Sequence, residues 1–211
     1  MDGAWQREMT GTPLGGFSMS AVVIGASTGG PHVLEPLLRA LPADLPVPVA
    51  ICQHMPPDFT RLWAERLDTL CGLTVKEAEN GEPFRAGRVY IAPIGRHLRF
   101  RRDGRAVYVR LDADFADALF VPSIDFMMSS AADVFRSGAL AVLLTGLGSD
   151  GALGMLTVRR AGGYTIIEDP DSAKASSMPK SAAAAGAVAE SARAADLARI
   201  IIDRVNGVLG G

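Results

Sequence analysis

A serine, a histidine and an aspartate each stand just past a strand-like run of this chain, at Ser27, His54 and Asp150. Ser27 lies in Ile24-Gly25-Ala26-Ser27-Thr28-Gly29-Gly30-Pro31, with a glycine two residues before it and another two after. That G-x-S-x-G spacing lets a sharp strand-to-helix turn push the hydroxyl out of the backbone. The N–H groups after Ser27 would then lie at a helix N-terminus, where they stabilise developing negative charge. A serine hydroxyl is a poor nucleophile until a base takes its proton, and an imidazole base needs a carboxylate to fix its tautomer. His54 stands between Gln53 and Met55-Pro56-Pro57, and Asp150 lies in Thr145-Gly146-Leu147-Gly148-Ser149-Asp150-Gly151. Each residue also has a plainer reading. The glycines can simply join strand to helix, His54 can be a packed or solvent-facing side chain, and Asp150 can be a helix N-cap. Of the other histidines, His97 opens a hairpin strand and reads as a surface residue, while His32 is either exposed or near the site.

These residues meet only if the elements between them form one sheet. Val22–Ile24 and 47–52 read as buried strands, and Val33, Leu34, Leu37, Leu38 and Leu41 space a helix between them. Phe59, Leu62, Trp63, Leu67 and Leu70 mark a second helix, followed by short strands at 73–77 and 89–92. Alternating runs at 97–101 and 106–110 flank Asp103-Gly104, a strong hairpin signal. Segment 112–122 is irregular, and Ser123 caps a helix over 124–135, with Asp125 in its first turn. Strands at 139–144 and 164–168 enclose a glycine-rich turn, 146–154, that enters another helix. Ala182–Ala185 reads as a short helix and 194–208 as the last one. Strands alternating with amphipathic helices give an α/β fold with a mostly parallel sheet and one inserted antiparallel hairpin. Ligands of such sheets bind beyond the carboxyl ends of the strands, which is where Ser27, His54 and Asp150 are expected.

Composition narrows the function classes. The chain has 211 residues, enough for one substantial core, and residues 1–19 read as a tail or linker before a domain at 20–211. A net charge of −2 gives no reason to expect nucleic acid or an anionic membrane as partner. No apolar run reaches the roughly 18 residues of a membrane span, and no secretory signal pattern opens the chain. Cys52 and Cys71 lack metal-type spacing, so reduced thiols in the cytoplasm are the expectation. A nucleotide-binding module is a rival, because glycine-rich turns also suit phosphates, but no G-x-G-x-x-G follows the first strand and no Gly-Lys-Ser/Thr P-loop is present. A non-catalytic, receptor-binding scaffold is a second rival.

The Ser27 motif, Gln53-His54-Met55-Pro56-Pro57-Asp58-Phe59-Thr60 with Glu65-Arg66-Leu67, and Leu144 through Ala152 resemble the bacterial chemotaxis methylesterases, specifically the catalytic domain of protein-glutamate methylesterase. Val75-Lys76-Glu77-Ala78, Gly81-Glu82, Tyr90-Ile91-Ala92-Pro93 and Pro122-Ser123-Ile124-Asp125 extend the resemblance over about residues 20–205. It implies a doubly wound α/β domain, with helices on both faces, that hydrolyses methyl esters of glutamate side chains on the cytoplasmic domain of chemoreceptors. Members also deamidate particular receptor glutamines. By matching position, the resemblance makes Ser27 the nucleophile, His54 the general base and Asp150 its orienting carboxylate, and places Thr28 and Leu147 on the site lining. It implies no metal and no organic cofactor.

The chain departs from the family pattern at Leu147 (usually methionine), Ser149 (usually asparagine) and Val121 (often arginine), and loop 169–177 lacks an expected apolar stretch. Substrate fit is the property these departures affect. The receiver domain usual in the family is too large for residues 1–19, so basal activity set by the catalytic domain alone, insensitive to phosphodonors, is expected.

Overall fold

The computed structural model describes residues 19–56, 59–113 and 119–207. Its elements run β1 (Ala21–Ala26), α1 (Gly30–Ala40), β2 (Val49–Gln53), α2 (Phe59–Asp68), β3 (Thr74–Glu77) and β4 (Arg88–Ile91). A hairpin follows, β5 (His97–Asp103) and β6 (Ala106–Asp112), then α3 (Ile124–Phe135), β7 (Ala139–Leu143) and α4 (Ala152–Arg160). The chain continues through β8 (Tyr164–Glu168), α5 (Ser177–Ala184), β9 (Glu190–Ala192) and α6 (Leu197–Val205). Among the described residues, seven strands form one parallel sheet in the order β3-β4-β2-β1-β7-β8-β9, and β5 and β6 pair separately and antiparallel. The order reverses beside β1: β2 pairs on one side of it and β7 on the other. This is a doubly wound α/β sheet with one inserted hairpin.

Both faces of the sheet are covered, which is why its central strands are apolar on both sides. Val22, Ile24 and Ala26 of β1 pack with Leu34 and Leu38 of α1, Leu67 of α2 and Ile201 of α6. The alternate residues Ala21 and Val23 face Met127 of α3, Met155 of α4 and Met178 of α5, in a layer that also takes Leu98 and Phe100 of the hairpin. Ser130 of α3 fixes the hairpin to this layer by accepting the Phe100 N–H at 2.8 Å.

Most expected elements are found within a residue or two, and Ser123 is the N-cap of α3 as read, accepting from Phe126 N. Four details differ. The strand β9 was not foreseen; at three residues on a sheet edge it is too short to show a period. The last helix begins at Leu197 after a 3-10 turn over Ala194–Asp196, and Val208 lies outside the described residues. The short helix expected at Ala182–Ala185 is the end of the longer α5. Met19, assigned to the tail, is buried in the core; residues 1–18 lie outside the described residues. No described helix is long and apolar enough to cross a membrane.

Candidate active site

Ser27 leaves the end of β1 in a turn held from three sides. Its N–H donates to Thr145 O at 3.0 Å, and its carbonyl accepts Gly30 N at 2.9 Å and Gln53 Nε2 at 2.8 Å. Gly29 precedes α1 at φ +90°, a conformation that a side chain disfavours, and proline follows in the first helical turn. Gly30 has a different requirement: a Cβ there would lie 1.9 Å from Gln53 Oε1. The turn is therefore built for a close approach by Gln53, which also donates to His54 O at 2.7 Å. Two carbonyls on one side-chain nitrogen fix which end of that amide is NH2.

His54 arrives from the neighbouring strand. The register pairs Ala26 with Gln53, and His54 N donates to Ala26 O at 3.0 Å, so Ser27 and His54 occupy the next positions along adjacent strand ends. The imidazole Nε2 is 2.9 Å from Asp150 Oδ2, with the histidine side chain 11% exposed and the aspartate 7%. A carboxylate only accepts, so Nε2 carries the hydrogen and Nδ1 the lone pair. Nδ1 is buried with no hydrogen-bond partner among the described residues. The Phe120 ring stacks on the imidazole at 4.4 Å between centroids and 11° between planes.

Asp150 caps a helix, but not the one it precedes. Its oxygens take Ile124 N at 2.8 Å, Asp125 N at 3.0 Å and Ser123 Oγ at 3.0 Å, all at the start of α3. Asp125 returns the exchange: its Oδ1 accepts Gly151 N at 2.9 Å and Gly154 N at 2.6 Å at the start of α4. Burial pushes the Asp150 carboxyl up, but the hydrogen bond from His54 and those from Asp125 and Ile124 outweigh it, and Asp150 is held below the usual carboxylate range. Asp125 shifts the other way. Burial raises its pKa, the Gly154 N–H draws it back, and the charge of Asp150 adds to the rise.

The structure thus brings His54 and Asp150 into contact and sets Ser27 beside them at the same end of the sheet. Thr28 is exposed on the Ser27 turn, its carbonyl accepting Thr145 Oγ1 at 2.9 Å, and Leu147 is exposed on the turn after β7. The expectation for His97 is corrected: it is fully buried, its Nδ1 accepts Ser123 N at 3.1 Å, and Phe126 meets its ring edge-on. Burial lowers its pKa against the pull of Asp150 and Asp112. His32 is exposed and borders a groove formed with residues such as Val33, Ala194 and Ala198, on the α1 side. Sequence reasoning gave Gln53 and Phe120 no role, and it placed Asp125 in the first turn of α3 and in the Pro122-Ser123-Ile124-Asp125 motif without its partners across to α4. A groove of about 340 Å³ runs from Asp150 and Ser149 between Leu119, Phe120, Phe126 and Leu153.

With this geometry in place, comparison with known proteins is decisive. The family model described as CheB methylesterase matches residues 22–201. The chain belongs to the CheB methylesterase family. Its fold matches the crystal structure of the Thermotoga maritima CheB methylesterase catalytic domain with a TM-score of 0.85 at 40% identity, covering 88% of this chain and 98% of that one. A protein-glutamate methylesterase/protein-glutamine glutaminase from Geobacter sulfurreducens is 45% identical over 186 residues, 88% of this chain and 50% of the relative. One from Anaeromyxobacter dehalogenans is 47% identical over 169 residues, 80% of this chain and 48% of the relative. The chain spans about half the length of these curated relatives of the CheB family.

Proposed function

We propose that this chain is a serine esterase that removes methyl groups from glutamate side chains of chemoreceptor cytoplasmic domains and also deamidates receptor glutamines. The hydrogen bond from His54 Nε2 to Asp150, beside a serine on a sharp strand-to-helix turn, carries the reading. An oriented imidazole has no task in cradling a phosphate or in passive binding, and this favours hydrolysis over the nucleotide-binding and scaffold alternatives. The names and identities of the relatives support the substrate class. Residues 20–211, together with the buried Met19, form the catalytic unit. The receptor's methylated segment places the reaction in the cytoplasm.

Ser27 Oγ attacks the ester carbonyl carbon while His54 Nδ1, the nitrogen left free by the bond to Asp150, takes the hydroxyl proton. Asp150 stays ionised, as its lowered pKa favours, and holds the imidazolium that results. The N–H groups of Ser27 and Gly30 are already committed, to Thr145 O and Ser27 O, so those of Thr28 and Gly29 are assigned to the oxyanion. His54 then protonates the departing methoxide, and methanol leaves. Water, giving its proton to the same nitrogen, attacks the acyl-serine; His54 passes that proton to Ser27 Oγ as the acyl bond breaks, and the glutamate carboxyl leaves and ionises. With glutamine as substrate the leaving group is ammonia. Thr28 and Leu147 line the approach.

A fluorophosphonate, mapped by peptide mass spectrometry, should label Ser27, and methylated receptor should release methanol. Ser27→Ala should abolish both with the melting temperature unchanged. Methanol release at the wild-type rate from Ser27→Ala would overturn the assignment.

A further inference from the structure

The two helices that frame the site exchange carboxylates. Asp150, on the turn before α4, binds the backbone amides of Ile124 and Asp125 at the start of α3. Asp125, in the first turn of α3, binds those of Gly151 and Gly154 at the start of α4, and the Leu153 backbone also donates to it. The N–H of residue 125 therefore donates to Asp150, while the side chain of residue 125 accepts from residue 151, the next in the chain. Gly154 permits this closeness: a Cβ there would lie 3.0 Å from both Cα and O of Asp125. Gly151, at φ +98°, would drive a Cβ to 2.5 Å from a Leu143 methyl. A side chain at position 154 would push α4 away from α3, and one at position 151 would crowd the Leu143 and Ile124 side chains.

A carboxylate that orients a histidine must itself be fixed in angle, because small displacements at the reacting centre are costly. Three of the groups bonded to Asp150, namely Ser123 Oγ, Ile124 N and Asp125 N, belong to one turn of α3. The reverse contact from Asp125 to Gly151 and Gly154 adds a second tie between the Asp150 turn and that turn of α3, and so limits how the carboxylate can tilt. We infer that Asp125 is a positioning residue of this esterase, acting on His54 through Asp150. The inference rests on the hydrolase reading above. Asp125 exchanges no proton and touches no substrate in this scheme.

The test is a double-mutant cycle on the full chain, read by methanol release from methylated receptor and by the rate of fluorophosphonate labelling at Ser27. Asp125→Ala should lower kcat at least tenfold with KM within threefold, and Asp125→Asn, which keeps an acceptor oxygen, should stay within threefold of wild type. In an Asp150→Ala background, Asp125→Ala should cost less than twofold more, because the residue through which it acts is gone. If Asp125→Ala does not fold, Gly154→Ala is carried through the same cycle with the same expectation. Near-normal kcat in Asp125→Ala, or an equal loss in both backgrounds, would overturn the inference. Failure of the hydrolase reading looks different: the wild-type chain then neither labels at Ser27 nor releases methanol.

Discussion

Phe120 covers one face of the His54 imidazole, and this contact makes a prediction about rate. Stacking restricts rotation of the ring away from Asp150, so Phe120→Ala should lower kcat severalfold, while Phe120→Tyr, which keeps the stack, stays near wild type in steady-state methanol release. Glu168 offers a prediction about stability. It is 1% exposed, Thr145 N donates to it at 2.8 Å, and burial, offset in part by that bond, raises its pKa. A carboxyl raised in the fold binds protons more readily there than in the unfolded chain, so folding loses stability as pH rises from the unfolded value through the folded one. Glu168→Gln should therefore raise the melting temperature at pH 7–8 by on the order of a few degrees, with the gain vanishing near pH 4, where the wild-type side chain is also neutral. At this scale, the placement of Ser27, His54 and Asp150 at one end of the sheet was legible because glycine spacing and proline runs are local signals. Phe120 and His97 were not, since their roles depend on partners far away in sequence: Phe120 on His54, and His97 on Ser123 N, 26 residues on.

The elements were legible where an apolar period was long enough to count. The helix α1 follows from such a period, the strands β1, β2 and β7 from continuous apolar runs and α3 from its Ser123 cap, whereas β9 has three residues and no period to read. The capping partner of Asp150 was illegible for a different reason. An aspartate before a helix suggests that helix, α4, yet the carboxylate turns to α3 because His54 and the α3 amides lie on that side. Close approach between elements also sets a test at Gly30. A Cβ there meets Gln53 Oε1 and Ala26 Cβ, so Gly30→Ala should cost about 1–3 kcal/mol of stability in denaturant titration. The same change should lower kcat, because Gln53 would no longer hold both Ser27 O and His54 O.

The whole molecule divides into two apolar layers, one on each side of the sheet, and the layers differ in what they support. Ile201 of α6 lies in the layer away from α3, while Met127 of α3 lies under the turn that binds Asp150. Ile201→Ala and Met127→Ala should each cost about 2–5 kcal/mol of stability, measured by chemical denaturation. Met127→Ala alone should also reduce kcat in the folded fraction. The alternation of strands and helices announced the parallel sheet, but which helix covers which face was decided by packing that no single segment encodes. The exchange between Asp125 and Asp150 has a last consequence in hydrogen exchange. It closes the chain from 125 to 150, through α3 and β7, into a ring fastened at its two ends by side chains. Such a ring opens as one cooperative unit. The amides of Ile124, Asp125, Gly151 and Gly154 should accordingly share one protection factor in native-state exchange, although they lie in two separate helix starts, and Asp125→Ala should release all four together.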